Sequence, residues 1–298
     1  MSHPPDRIIS YVRYIPHPEG NRCRDDTRYR KIYNLKDRFN FLKKKFPHYL
    51  YFDPVFHQLM QAVPYTHVAK IFNPIERLRE LYDADQRDPL EERAVGLASI
   101  LTIPHPYLGI SGSVLVGLHT PSSDIDLIVY GKEQGKKAYA HLKTMRDQKR
   151  TFAFDSAQAA EKALFRWGST RSDLARIEQK KVLHGMYCSS EYFIRLLDLS
   201  SEPYGEIQYI PQYEATLTGW ITDDTESIFT PCRYELSDSS LSHVTTLFSL
   251  RGRYCEQVHA GEKIMAHGMV EKVCTPSDEF YQLSLQDPSH FLYPVQCF

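Results

Sequence analysis

Apolar positions divide the chain into three stretches of different character. Residues 7–15, RIISYVRYI, alternate as a half-buried strand does, and PHPEG at 16–20 breaks the pattern. Residues 27–33, TRYRKIY, form a second extended segment able to pair back as a hairpin. Asn34 then reads as the N-cap of a helix over 35–46, with Leu35, Phe39 and Leu42 on one face and Pro47 as its stop. The aromatic, proline-punctuated region 49–74 predicts irregular structure. Helices follow near 74–82 and over 89–101, where Glu91 and Glu92 suit the first turn. Pro104 and Pro106 end the second of these.

The middle stretch mixes both periods. A strand closing at 109–110 turns through Ser111-Gly112-Ser113 into an apolar helix-like run, 114–118, and a strand then carries Asp124 and Asp126. Helical patterns cover 133–147, with Ala138, Leu142 and Met145 inward, then 157–167 and 171–183. Residues 191–198, EYFIRLLD, alternate as a strand. Beyond 203 the character changes to short β-type runs at 215–222, 226–234, 244–250, 263–273 and 281–285. The expected class is α+β, ending in a small antiparallel β barrel or sandwich. The expected segments are 1–88, an N-terminal hairpin and helical region; 89–202, a core; and 203–298, a C-terminal β domain.

Composition narrows the picture. The 298 residues are 42% hydrophobic and 24% charged, with a net charge of −1. That balance argues against a uniformly basic nucleic-acid coat, though not against a local patch. No apolar run approaches the ~18 residues of a membrane span. The first ten residues lack the layout of a signal peptide, so a cytoplasmic protein is expected. Six scattered cysteines, Cys23, Cys188, Cys232, Cys255, Cys274 and Cys297, form no CxxC pair and argue against structural zinc. Twenty tyrosines suit either base stacking or strand surfaces. Arg22, Arg24, Arg28, Arg30 and Lys31 make the densest basic cluster, open to two readings: a face that follows a phosphate backbone, or a charged edge guarding against strand pairing.

The chemistry concentrates in GISGSVLVGLHTPSSDIDLIVYG, residues 109–131. Glycine at 112 lets the backbone approach a phosphate, and Ser113 offers a hydroxyl donor. Asp124 and Asp126, two apart on a strand, leave the same face, while Ile125, Leu127 and Val129 face the other way. Two carboxylates so placed repel each other and resist burial unless cations neutralise them. Hard oxygen ligands of this kind suit Mg²⁺ or Mn²⁺.

Gly112-Ser113, Gly117 and Ser123-Asp124-Ile125-Asp126 together resemble the G-S-(x)-G-(x)-S-D-x-D signature of the DNA polymerase β-like nucleotidyltransferase superfamily. Over more of the chain, YVRYIPHPEG, TRYRKIY and IFTPCRY are similar to uncharacterised archaeal proteins carrying that domain. The resemblance implies a core of mixed sheet with helices on one face. It also implies a triphosphate held by Gly112 and Ser113, with Ser123 alongside, and divalent metal held by Asp124 and Asp126. The superfamily usually adds a third carboxylate from a neighbouring strand. Glu191 is the first choice here and Asp198 the second, because the alternation places Glu191 and Arg195 on the open face. Arg195 either neutralises triphosphate charge or pairs with Glu191. Lys180 and Lys181 read as cations ending a helix. Arg251, Arg253 and Tyr254 would fit a nucleic-acid-binding face of a small barrel.

The expected activity is transfer of a nucleoside monophosphate from an NTP, with Mg²⁺ or Mn²⁺, to a hydroxyl on nucleic acid, protein or a small molecule, releasing pyrophosphate. The alternative is a catalytically weak member of this fold that binds nucleic acid or protein. RNA or DNA would dock on the N-terminal hairpin or the C-terminal β domain.

Overall fold

The computed structural model describes residues 3–199 and 202–295; Cys297 lies outside them. The protein is a mixed α+β chain, built among the described residues on four sheets. The N-terminal region contains β1 (Arg7–Ile9), β2 (Tyr14–Pro16), β3 (Arg22–Arg24), β4 (Thr27–Lys31), α1 (Leu35–Lys45), β5 (Leu50–Asp53), β6 (Gln58–Pro64) and α2 (Pro74–Asp83). Next come α3 (Pro89–Ile100), β7 (Leu108–Ile110), α4 (Gly112–Leu115), β8 (Ile125–Tyr130), α5 (Lys132–Asp147), α6 (Ser156–Trp167), α7 (Ser172–Lys180), β9 (His184–Tyr187) and β10 (Ser190–Leu197). The remaining elements are β11 (Gln208–Asp223), β12 (Phe229–Thr230), β13 (Cys232–Ser237), β14 (Val244–Ser249), β15 (Lys263–Cys274), β16 (Glu279–Ser284) and β17 (Phe291–Pro294).

The N-terminal region departs from expectation twice. The alternation over 7–15 is shared by two strands in different sheets: β1 pairs with β6, and β2 pairs with β4. A continuous period of two cannot show where a chain leaves one sheet for another. Region 49–74 is not irregular but holds the β5–β6 hairpin, in which Asp53 accepts from the Val55 and Phe56 amides and so forms the turn. The helix after Asn34 does start there, its side chain accepting from the Lys36 amide at 2.8 Å. Asp88 caps α3 through a full capping box with Glu91.

The central five-stranded sheet runs β12-β10-β8-β7, with β9 on β10. β8 and β10 are parallel, with Asp126 opposite Phe193 and Ile128 opposite Arg195. β7 pairs antiparallel with β8, and β9 antiparallel with β10, so the sheet is mixed. Its inward rows are Ile125, Leu127 and Val129 on β8 and Tyr192, Ile194 and Leu196 on β10, all buried. Ala138, Leu142 and Met145 of α5 are equally buried in the same core, as their 3.6-residue spacing predicts.

The six-stranded C-terminal sheet has the order β11-β13-β14-β16-β15-β17, with β11 also pairing β15. It is not wholly antiparallel, because β14 and β16 run parallel. The long β15 accepts β11 along one side, and β16 and β17 along the other. The strand β12 leaves this region to join the central sheet beside β10. Its Phe229 packs so closely on α5 that a Cβ at Gly135 would lie 2.7 Å from the ring. One continuous core therefore runs from Leu97 and Leu127 to Val270 and Leu292. No helix among the described residues is long and apolar enough to cross a membrane.

Candidate nucleotide and metal site

The loop from β7 to β8 is folded around the Asp126 carboxylate. Gly112 has φ +63°, a conformation that side-chain-bearing residues avoid. A Cβ there would also overlap the Asp126 carboxylate, so glycine is required twice over. The Ser111 amide donates to the Asp126 carbonyl at 2.7 Å, pinning the turn to the strand. The helix that follows is short, four residues, and ends at Leu115 rather than continuing through 118. Gly117, with φ +64°, makes the next reversal.

Three arginines hold the carbonyls of this loop. Arg77 donates to Val114 at 3.4 Å, Arg24 to Val116 at 2.8 Å, and Arg22 to Leu118 at 2.5 Å. Ser113 is 4% exposed and Ser123 is 7% exposed. The Ser123 hydroxyl accepts from the Thr120 amide at 2.9 Å and from Arg22 at 3.4 Å, which closes the loop before Asp124.

Asp124 is exposed at the start of β8, and Asp126 is half-buried one pleat further along the same face. Burial and the neighbouring Asp124 push the Asp126 carboxyl up to about 7, against the partial relief given by Arg195, Lys31 and Arg13. Among the described residues, neither aspartate has an ion-pair partner within 4.0 Å. A carboxylate pair strained in this way gains from a divalent cation, and an all-oxygen donor set fits Mg²⁺ or Mn²⁺.

The chain is 30% identical, over 94% of its length, to an uncharacterized protein of Methanocaldococcus jannaschii, of which the match covers 88%. The chain belongs to that protein's family. No protein-family model matches the sequence, and no solved structure matches it.

The two candidates for a third carboxylate part company in space. By the β8–β10 register Tyr192 stands opposite Ile125, which sets Glu191 across from Asp124 on the side-chain face of Asp126. Asp198 lies five residues beyond Phe193, the partner of Asp126, so about 16 Å further along the strand direction. It pairs with Lys132 at 3.4 Å at that distant end. Glu191 is engaged too: its partner is Lys162 of α6, at 2.6 Å, and not Arg195. Arg195 instead lies over the Phe193 ring at 5.4 Å and lowers the Asp126 carboxyl.

Two other basic groups serve the fold. Lys181 is not a solvated helix-end cation but 1% exposed, its ammonium donating to the Arg253 carbonyl at 2.6 Å and lying 3.4 Å from Glu178. The Arg251-Arg253-Tyr254 trio offers no open stacking face. Tyr254 is fully buried, and Arg253 donates to the carbonyls of Arg166, at 2.6 Å, and His290, at 2.9 Å, and to the Tyr254 hydroxyl. Such spending of a guanidinium on distant carbonyls leaves no local sequence signal.

The sequence also gave no sign of an Asp88, Glu91 and His119 group whose ligand atoms lie within 4.8 Å of one another. Asp88 and Glu91 are already the capping box of α3, and Glu91 also takes Arg77 at 2.7 Å. His119 pairs with Asp88 and fastens the β7–β8 loop, which curves round Asp126 as a cradle loop, to that helix. These are structural duties, legible only once residues 88 and 119 are brought together.

Proposed function

We propose that the protein is a metal-dependent nucleotidyltransferase of the DNA polymerase β-like superfamily, moving a nucleoside monophosphate from an NTP to a hydroxyl acceptor with release of pyrophosphate. The observation that carries this reading is the contact between Gly112 and the Asp126 carboxylate. That contact puts the Gly-Ser turn beside the acidic strand, which supports reading the two motifs as one site. Asp124 and Asp126 would hold Mg²⁺ or Mn²⁺, which when bound neutralises charge on the triphosphate. The backbone at Gly112 approaches the phosphates without a side chain in the way. Arg22, Arg24 and Arg77 keep the loop carbonyls turned inward and so keep the turn open to an anion. Arg195 adds positive charge at the strand face where negative charge builds up during phosphoryl transfer. Glu191, across from Asp124, is the group placed to orient the acceptor hydroxyl.

A second reading is a catalytically weak member of the same fold that binds nucleic acid or protein. Its support is the 2.6 Å Lys162–Glu191 ion pair, which occupies the candidate third carboxylate. Incubation with each α-labelled NTP, Mn²⁺ and pooled RNA, protein and small-hydroxyl acceptors separates the two. Label incorporation with stoichiometric pyrophosphate, abolished by Asp124→Asn, supports the enzyme. Absence of incorporation under all conditions, with salt-sensitive RNA binding and without tight Mn²⁺-dependent NTP binding, supports the binding module.

A further inference from the structure

The site draws part of its charge from outside the core, on the hairpin formed by β2, β3 and β4, and the inference that follows rests on the nucleotidyltransferase reading. Strand register fixes which hairpin residues share a face. Tyr14 stands opposite Lys31, Arg22 opposite Tyr29, and Arg24 opposite Thr27. Directly opposed residues lie on one face of an antiparallel pair, as do residues two apart on a strand. Lys31, Tyr29, Arg22 and Arg24 therefore leave the same side. Arg28 and Arg30 leave the other side and are exposed.

The destination of the first side is fixed by hydrogen bonds. Arg22 reaches the Leu118 carbonyl and Ser123, and Arg24 reaches the Val116 carbonyl. That face is thus clasped to the cradle loop by its two arginines, with half-buried Lys31 further along the same strand. Arg13 joins Lys31 through the Tyr33 ring, which the Lys31 ammonium meets at 4.8 Å and the Arg13 guanidinium at 5.9 Å. Among the described residues neither cation has a carboxylate within ion-pair distance. Geometry sets them beside the acidic strand: Lys31 lies one pleat beyond Tyr29, whose partner Arg22 reaches Ser123, the residue before Asp124, and Arg22 also lies over the ring of Tyr14, the partner of Lys31. Two cations without carboxylate partners beside two carboxylates without cation partners is the arrangement expected where a metal–polyphosphate completes both sets.

We propose that Lys31, assisted by Arg13, binds the terminal phosphates of the NTP and the departing pyrophosphate. A lysine suits this place, being a compact charge on a flexible stem that can follow the phosphates as they leave. The same two cations repel a bare metal ion, so removing them should weaken polyphosphate binding while leaving Mn²⁺ binding unchanged or tighter.

The test is calorimetry with Mn²⁺ alone and with inorganic tripolyphosphate plus Mn²⁺, a probe that needs no knowledge of the base. Lys31→Ala should weaken tripolyphosphate binding by roughly ten- to a hundredfold, the scale of a charge-assisted hydrogen bond. Lys31→Arg should recover most of it, Arg13→Ala should lose less than Lys31→Ala, and Arg30→Ala, on the opposite face, should bind as wild type. Mn²⁺ affinity should not fall in any of the four. If wild type binds tripolyphosphate and Lys31→Ala binds it equally, the proposal is overturned while the nucleotidyltransferase reading stands. An equal loss of Mn²⁺ and tripolyphosphate in Lys31→Ala would assign the residue to folding and likewise overturn it. A wild type that binds neither removes the underlying reading as well.

Discussion

Two acidic centres of this protein meet burial in opposite ways. Glu178 on α7 is fully buried, yet its carboxyl is held below the ordinary value: burial pushes it up, but Lys181, Arg166 and the Trp167 indole together outweigh that push. Asp126 on β8 has its carboxyl raised to about 7: burial pushes it up, the neighbouring Asp124 adds to that push, and Arg195, Lys31 and Arg13 do not outweigh the two. The first centre is complete within the chain and ties α6 and α7 to the C-terminal region through Lys181 and Arg253. The second lacks its countercharge. A folded chain that leaves two carboxylates so placed gives up stability at one point, the pattern expected of a site awaiting a ligand.

The contrast is broken most severely at Glu178. Glu178→Gln should cost about 3–5 kcal/mol in denaturant unfolding, because Lys181 and Arg166 then lose their buried partner. Since the Glu178 carboxyl is depressed in the folded state, its contribution is present above the ordinary carboxylate value and lost as pH falls through the lower folded one. A loss that is large at pH 7 and shrinks in acid checks this.

Asp126→Asn should act in the opposite direction, by a smaller amount. A carboxyl raised in the folded state imposes no cost at pH values where it is protonated in both states. The cost grows as pH rises through the ordinary carboxylate value of 3.8 to the folded value of about 7. Without metal, the variant should be more stable than wild type by roughly 2–4 kcal/mol at pH 8 and indistinguishable from it near pH 3. Equal stability at both pH values would mean that the aspartate pair carries no strain.

The smallest difference separates Glu191 from Asp198. Glu191→Gln should lower nucleotide incorporation about tenfold or more, and Asp198→Asn should leave it intact. The reverse pattern would move the third carboxylate to the other end of β10.

How much of this was legible in the sequence depended on how local each cause was. The Asn34 cap, the acidic first turn of α3, the inward row of β8 and the inward face of α5 follow from short-range spacing, and the structure has them. The alternation on β10 placed Glu191 and Arg195 on one face, but their partners, Lys162 and Phe193, could be found only in three dimensions. Long-range events stayed hidden: the division of 7–15 between two sheets, the transfer of β12 to the central sheet, and the parallel pairing of β14 with β16. The same holds for basic residues. Arg22 and Arg24 clasp the cradle loop, Arg253 and Lys181 are consumed in the interior, and Arg28 and Arg30 meet solvent. All six look alike in a charge pattern, because a guanidinium or ammonium finds its carbonyl across tens of residues.

The most direct test of the central claim, that Asp124 and Asp126 form a divalent-cation site, is an electron paramagnetic resonance titration of Mn²⁺ at pH 8 and pH 5.5. It compares wild type with the Asp124→Asn/Asp126→Asn double variant. Only the ionised carboxylate ligates, so wild type should bind Mn²⁺ at pH 8 and several-fold more weakly at pH 5.5, below the raised Asp126 value of about 7. The double variant should bind at neither. Equal Mn²⁺ binding by wild type and double variant, or no binding by wild type at pH 8, would contradict the claim.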